Sequence, residues 1–464
     1  MMTNNKPARY KQQRLQALAK RNDSYSFFNL LTGPEMLSTV EDLLPEDHRE
    51  RLFPPTETLS MFLAQAMNED RSCQKAVNDA AIKHAISGLP ACSTGTGGYC
   101  QARQRLPLEM VSTLVHSTGK MIGDQIPDQW RWHGKRVHLI DGTTVTLPDT
   151  AANQAVYPQQ SVQKPGLGFP ICRIVSVICL SSGALLNAAM GSFSGKGSSE
   201  QSLLRPLLNT FSEGDLVLGD AFYGTYFLLA ALLDQGVDAV FEQLGARKGS
   251  TNFRKGQRLG PKDHLIKLTR PVKKPDWMVQ VDYDKVPETI IIRELKINGK
   301  LLITTLLSAE EYPKSELKTL YKERWHVEVD LRNIKTTLGM ETLSCNTPAM
   351  VEKEMWVYFL AYNLIRLLMA QSALLADILP RQLSFKHTVQ LWTAWGQQTQ
   401  AVGIQADEGI LFALIAQKIV GNRPGRIEPR AVKRRPKPFP LLMEDRESAR
   451  KRVKKYGHPK KLKA

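Results

Sequence analysis

The chain from Tyr321 to Lys335 reads YKERWHVEVDLRNIK and sets five reactive side chains at fixed intervals. Ser315 to Leu338 contains neither Gly nor Pro and is rich in helix formers, so it is predicted to be one long helix. With Tyr321 at 0° and about 100° per residue, Arg324 falls near 300°, Glu328 near 340°, Arg332 near 20° and Lys335 near 320°. One acid, three bases and a tyrosine then share a stripe roughly 80° wide. Leu320, Val327, Leu331, Ile334 and Leu338 fall beside that stripe, at about 220–280°. A charged row bordering the buried face lines a cleft at the edge of the core. The same spacing also fits a surface helix laced by Arg324–Glu328 and Glu328–Arg332 pairs.

Two more carboxylates close strand-like segments upstream. RVHLIDGTTVTLPD is β-branched and alternating, and reads as two strand halves around a Gly turn with Asp141 ending the first. RIVSVICLSS and ALLNAAMGSF continue as strands, and SEQSLLRPLLNTF is helix-like. DLVLGD is an apolar strand ending in Asp220, followed by a helix stopped at Gly236 and a further strand, VDAVFEQL. A turn or cap role accounts for an isolated Asp equally well. The long interval before Glu328 reads as β: HLIKLTR, WMVQVDY, and TIIIRELKINGKLLITTLL with an Asn298-Gly299 hairpin turn.

Tyr, two residues, Arg, three residues, Glu, six residues, Lys resembles without a gap the Tyr-Arg-Glu-Lys signature of bacterial insertion-sequence transposases of the insertion-sequence-four family. LIDGTTVTLPD is similar to that family's first-aspartate block and GDLVLGDAFYG to its second. Ala221, Phe222 and Tyr223 stand where relatives commonly carry a basic or small residue. The resemblance implies an α/β, ribonuclease-H-like core with an Asp141, Asp220, Glu328 active site. Oxygen ligands without a Cys or His cluster suit Mg²⁺ or Mn²⁺. The family implies two ions per site, Asp141 bridging them and Asp220 and Glu328 each holding mainly one. Tyr321, Arg324, Arg332 and Lys335 would contact DNA phosphates. The implied activity is cut-and-paste transposition by a homodimer. It binds inverted-repeat ends, cleaves, and joins the 3′-hydroxyl ends to target DNA, with a hairpin intermediate in some relatives. The alternatives are a catalytically inactive, domesticated DNA-binding derivative and a stand-alone metal-dependent nuclease.

Composition agrees with a polyanionic partner. Lys+Arg number 62 and Asp+Glu 45, a net charge of +17, and most of the surplus lies beyond Arg423. Such a surplus makes nucleic acid the first candidate, and also fits a basic tail on an unrelated enzyme; double-stranded DNA is what the resemblance implies. The six cysteines show neither metal-ligand nor disulfide spacing. No apolar signal core opens the chain, and the apolar run Met355–Leu379, interrupted by Asn363, Arg366, Gln371 and Asp377, reads as a buried helix rather than a membrane span. A bacterial cytoplasmic, nucleoid-associated protein is expected.

Four regions are expected. Residues 1–130 form a helical N-terminal domain for transposon ends. Its basic arm spans 1–25, and a Gly-containing turn leads to Tyr99, Gln101, Arg103 and Arg105 as DNA contacts. Residues 131–243 and 313–375 form the catalytic core, interrupted by a β-rich insertion, 244–312. There GARKGSTNFRKGQR is a candidate DNA-backbone contact or a mobile surface loop, and Trp277 a candidate for core packing or, second, for stacking on an unpaired base. Residues 376–464 are helical, with a basic linker and tail. The Gln/Arg segment equally fits a small helical domain that touches no DNA.

Overall fold

The computed structural model describes residues 43, 53–86, 88, 92–195, 197–402, 408–420 and 444–457. The 1–25 arm and the linker 421–443 lie outside them. Among the described residues nine strands form one mixed sheet in the order β3-β2-β1-β4-β5-β9-β8-β7-β6. They are β1 (Val137–Thr146), β2 (Ile171–Cys179), β3 (Leu185–Ser192), β4 (Leu216–Gly219), β5 (Asp238–Glu242), β6 (Gln257–Gly260), β7 (Asp263–Thr269), β8 (Thr289–Ile297) and β9 (Lys300–Thr304). The pairs β1–β4 and β4–β5 are parallel and the others antiparallel. Parallel neighbours need crossovers, and the helix-like segments supply them: Glu200–Leu204 with the 3₁₀ turn Arg205–Thr210, then Tyr226–Asp234.

Alternation along the strands separates two cores. Leu139, Ile174, Ile178, Leu216 and Leu218 face one side of the sheet, beneath the helices Leu108–Asp124 and Pro348–Leu375. Ile140, Val175, Val177 and Val217 face the other, against Leu229 and Leu232 of Tyr226–Asp234. Pro348–Leu375 is long and apolar enough to cross a membrane, but 89% of its apolar window is buried in the protein, which makes it a core helix. Asn363, one of its buried polar residues, has internal partners. Asn363 accepts from Leu185 N–H (2.8 Å) and donates to Leu185 and Val115 carbonyls (2.8 and 3.1 Å), and so joins β3 to the N-terminal helices.

Several local expectations need correction. VHLIDGTTVT is one uninterrupted strand, so Asp141 lies mid-strand and Gly142 makes no turn. A Cβ on Gly142 would come within 2.3 Å of the Glu200 carboxyl carbon, so the glycine provides space for that side chain. WMVQVDY is not a strand: Gln280–Lys285 is helical. Trp277 is 48% exposed, with the Arg205 guanidinium 4.0 Å over its ring, rather than in the core. The β-rich interval is continuous with the main sheet, because β9 pairs with β5. The N-terminal helices likewise share a core with the sheet: Leu59, Phe62 and Leu114 join the cluster that holds Leu139 and Leu218.

Candidate active site

Strand register brings the two aspartates together. Leu139 pairs with Leu218 across parallel β1 and β4, so Asp141 and Asp220 are the next same-face positions, on neighbours about 4.8 Å apart. β4 ends at Gly219, and Asp220 starts a turn in which Phe222 N–H donates to its Oδ1 (2.8 Å). Leu139 and Leu218 belong to the core cluster that also contains Val327, Leu331 and Ile334. The Tyr321–Lys335 segment therefore packs on the face toward which both aspartates are directed by parity.

That segment is not the single regular helix its spacing predicts. It comprises Lys314–Glu323, His326–Arg332 and a π-helical turn, Asn333–Thr337. At the first junction Arg324, Trp325, Val327 and Glu328 donate their N–H groups three residues back, as in a 3₁₀ turn. The backbone stays right-handed, with Arg324 at φ −50°, ψ −33° and Trp325 at φ −55°, ψ −21°, and the apolar stripe Leu320, Val327, Leu331, Ile334, Leu338 is buried as expected. Tyr321 Oη donates to Gly219 O at the end of β4 (3.3 Å). Arg324 donates to Glu328 Oε1 (3.1 Å), and its other terminal nitrogen lies 3.8 Å from Asp141 Oδ2. Lys335 Nζ donates to Thr143 Oγ1 (3.3 Å), two residues along β1 from Asp141. Arg332 is exposed, outside this row.

The electrostatics of the site centre on Asp141. Burial raises the Asp141 carboxyl to about 6, against the Gly142 N–H and Arg324, which lower it; the charges of Asp220 and Glu200 raise it further. Burial likewise pushes the Tyr321 hydroxyl up. Among the described residues no three Asp, Glu, His or Cys side chains lie close enough together to hold a metal as they stand. Arg324, placed between Asp141 and Glu328, turns the third carboxylate toward itself. The donor chemistry nonetheless fits a hard divalent ion, since the side chains that meet here offer carboxylate oxygens and no Cys or His.

A raised native value has a stability consequence of definite sign. Between about pH 4 and 6 the folded chain binds a proton at Asp141 that the unfolded chain releases. Metal-free protein should therefore lose up to about 3 kcal/mol as pH rises through that window. Asp141→Asn is expected to raise the unfolding midpoint in EDTA at pH 8 while changing little at pH 4. Equal shifts at both pH values in a urea titration would count against it.

Residues 132–364 match the sequence profile of the transposase DDE domain. The transposase InsG for insertion sequence element IS4 of Escherichia coli (strain K12) is 30% identical over 360 residues, covering 75% of this chain and 78% of that protein. This chain belongs to the IS4-family DDE transposases. Membership implies a DNA-binding, DNA-cutting and strand-transfer enzyme.

Other expected DNA contacts of the transposase fare differently. Tyr99 is fully buried, donating to Gln65 Oε1 (2.8 Å), and Arg103 is 7% exposed, its guanidinium 4.6 Å from the Phe62 ring and 5.2 Å from that of Tyr99. Both pack inside the helical region, because their helix, Gly97–Arg105, turns that face onto Pro55–Met67. Gln101 and Arg105 are exposed and remain available.

Sequence reasoning missed the clamp that fixes the signature segment. Asp330, two residues past Glu328, is fully buried, and both its oxygens accept from arginines. Arg366 bonds its Oδ1; Arg381 donates to Oδ1 (3.2 Å) and Oδ2 (2.9 Å) and also to the Leu180 and Cys179 carbonyls at the β2–β3 turn. An advance signal is Arg366, a charged residue within the apolar run Met355–Leu379.

Proposed function

We propose that the transposase binds the inverted-repeat ends of its own insertion sequence as a homodimer, cleaves them with two Mg²⁺ or Mn²⁺ ions, and joins the freed 3′-hydroxyls to target DNA. The observation that carries this reading is the in-register meeting of Asp141 and Asp220 beneath the segment bearing Glu328. These three carboxylates would hold the ions. When bound, the metals would activate the attacking oxygen and stabilise the leaving one.

The chain's own groups do the rest. Arg324 exchanges its carboxylate partners for a phosphate beside the scissile bond, freeing Glu328 to turn toward the aspartates. Lys335, bonded to Thr143 two residues along β1 from Asp141, takes the next phosphate, and Tyr321 offers its hydroxyl to the terminal nucleotide. Gln101 and Arg105 are proposed as outlying end contacts. The route passes through a hairpin at the element's end, which a denaturing gel resolves from linear product.

The test is incubation of an end-bearing duplex with Mg²⁺ or EDTA. Nicks and strand-transfer products only with metal support the proposal. Nicks without joined products would favour a stand-alone nuclease, and neither product an inactive DNA-binding derivative. Lys335→Ala is expected to weaken binding to ends about tenfold, as loss of a charge-assisted phosphate contact would, and to lower cleavage; unchanged binding in a gel-shift titration would remove Lys335 from the contact set.

A further inference from the structure

We infer that the C-terminal helix Arg446–Tyr456 is a docked platform for the phosphate backbone of duplex DNA flanking the active site. This rests on the transposase reading and adds a surface to it. The helix is capped by Asp445, whose carboxylate accepts from Ser448 N–H (2.9 Å). One side chain ties it to the loop that follows β1. Arg446 donates to Asp149 Oδ2 (2.6 Å) and to the carbonyls of Gly166, Leu167 and Gly168 (3.3, 3.2 and 3.1 Å), and its guanidinium lies 4.2 Å over the Phe169 ring. Gly166, at φ +77°, lets the chains meet: a Cβ there would lie 3.2 Å from Asp445 Cβ. Ala449 is buried.

Docking therefore uses the face of Arg446, Ala449 and Val453, and leaves the other face to solvent. At about 100° per residue, Arg450, Lys454, Lys451 and Lys455 span roughly 40° to 180° from Arg446. All four are exposed. Glu447 offsets one of them, pairing with Lys451 at 3.1 Å. A solvated tail has no need of a five-contact arginine anchor; a surface that must stand at a fixed place does.

That place is informative. β1 runs five residues past Asp141 to Thr146, about 17 Å at strand rise, and the docking loop hangs from that end. The span equals about five nucleotides of one DNA strand. DNA whose scissile phosphate lies at Asp141 and Asp220 and which runs along this end of the sheet would meet the basic face. The contact would be to backbone, without sequence preference.

Fluorescence anisotropy of the full-length protein on a random-sequence duplex, across a salt series, tests this. Removing the four cations together (R450A, K451A, K454A, K455A) should lower the slope of log K against log[salt] by about 2–4, since each phosphate contact contributes about 0.9. Affinity near 0.1 M salt should fall at least about tenfold, with the unfolding midpoint unchanged. An unchanged slope overturns the inference and leaves the active site untouched, provided metal-dependent nicking persists. An unchanged slope with altered self-association on sedimentation also overturns it, assigning the face to a second copy of the chain. If the unsubstituted protein binds no duplex at any salt, the transposase reading itself fails with it.

Discussion

Glu328→Gln is expected to lower metal-dependent nicking by at least about 10³-fold, a loss of about 4 kcal/mol in transition-state stabilisation, while DNA binding stays within about threefold. The substitution keeps volume and a hydrogen-bond acceptor for Arg324 but removes the negative charge a divalent ion requires. The competing view, a surface ion pair four residues apart, predicts a different result. Glu328 is 37% exposed beside Arg324, and such a pair contributes only about 0.3–0.5 kcal/mol. On that view the variant loses a few tenths of a kcal/mol of stability and keeps its activity. Initial nicking rates on an end-bearing duplex decide between them, and a wild-type rate with Mg²⁺ would dismiss Glu328 as a ligand.

The second large effect belongs to Asp330. Asp330→Ala should destabilise the protein by about 3–5 kcal/mol, because it strands a buried positive charge rather than merely removing a bond. Arg366 would keep its bond to Tyr362 Oη (2.8 Å) in an environment with 3% side-chain exposure. Arg381 would keep only backbone carbonyls. The double change D330L/R366M replaces two of the three charges of this cluster with apolar groups of similar bulk and should recover part of the loss, with Arg381, 10% exposed, left on its backbone carbonyls. Urea unfolding of the three proteins measures this; a loss under about 1 kcal/mol for Asp330→Ala would mean that the clamp is loose. Because Asp330 anchors the turn next to Glu328, the single variant should also cleave more slowly per folded molecule.

Much of the catalytic region was legible in the amino-acid sequence. Strand-like segments between turn and helix signals marked β2, β3 and β5, and Asn298-Gly299 marked the β8–β9 turn, where both residues take positive φ (47° and 81°). The apolar stripe Leu320 to Leu338 showed which side of the signature segment is buried. These are short-range properties: side-chain period and turn chemistry are set by neighbours in the chain. Tertiary structure decided the rest. Asp141 and Asp220 become neighbours only through the parallel β1–β4 register, a pairing between segments some eighty residues apart. Arg103 and Arg105 look alike in sequence, yet packing against Phe62 and Tyr99 buries one and leaves the other in water. Asp330 resembles any surface acid until Arg366 and Arg381 arrive from other elements. A side chain's type limits what chemistry it can do; which partners reach it is settled by long-range contacts that local periodicity does not encode.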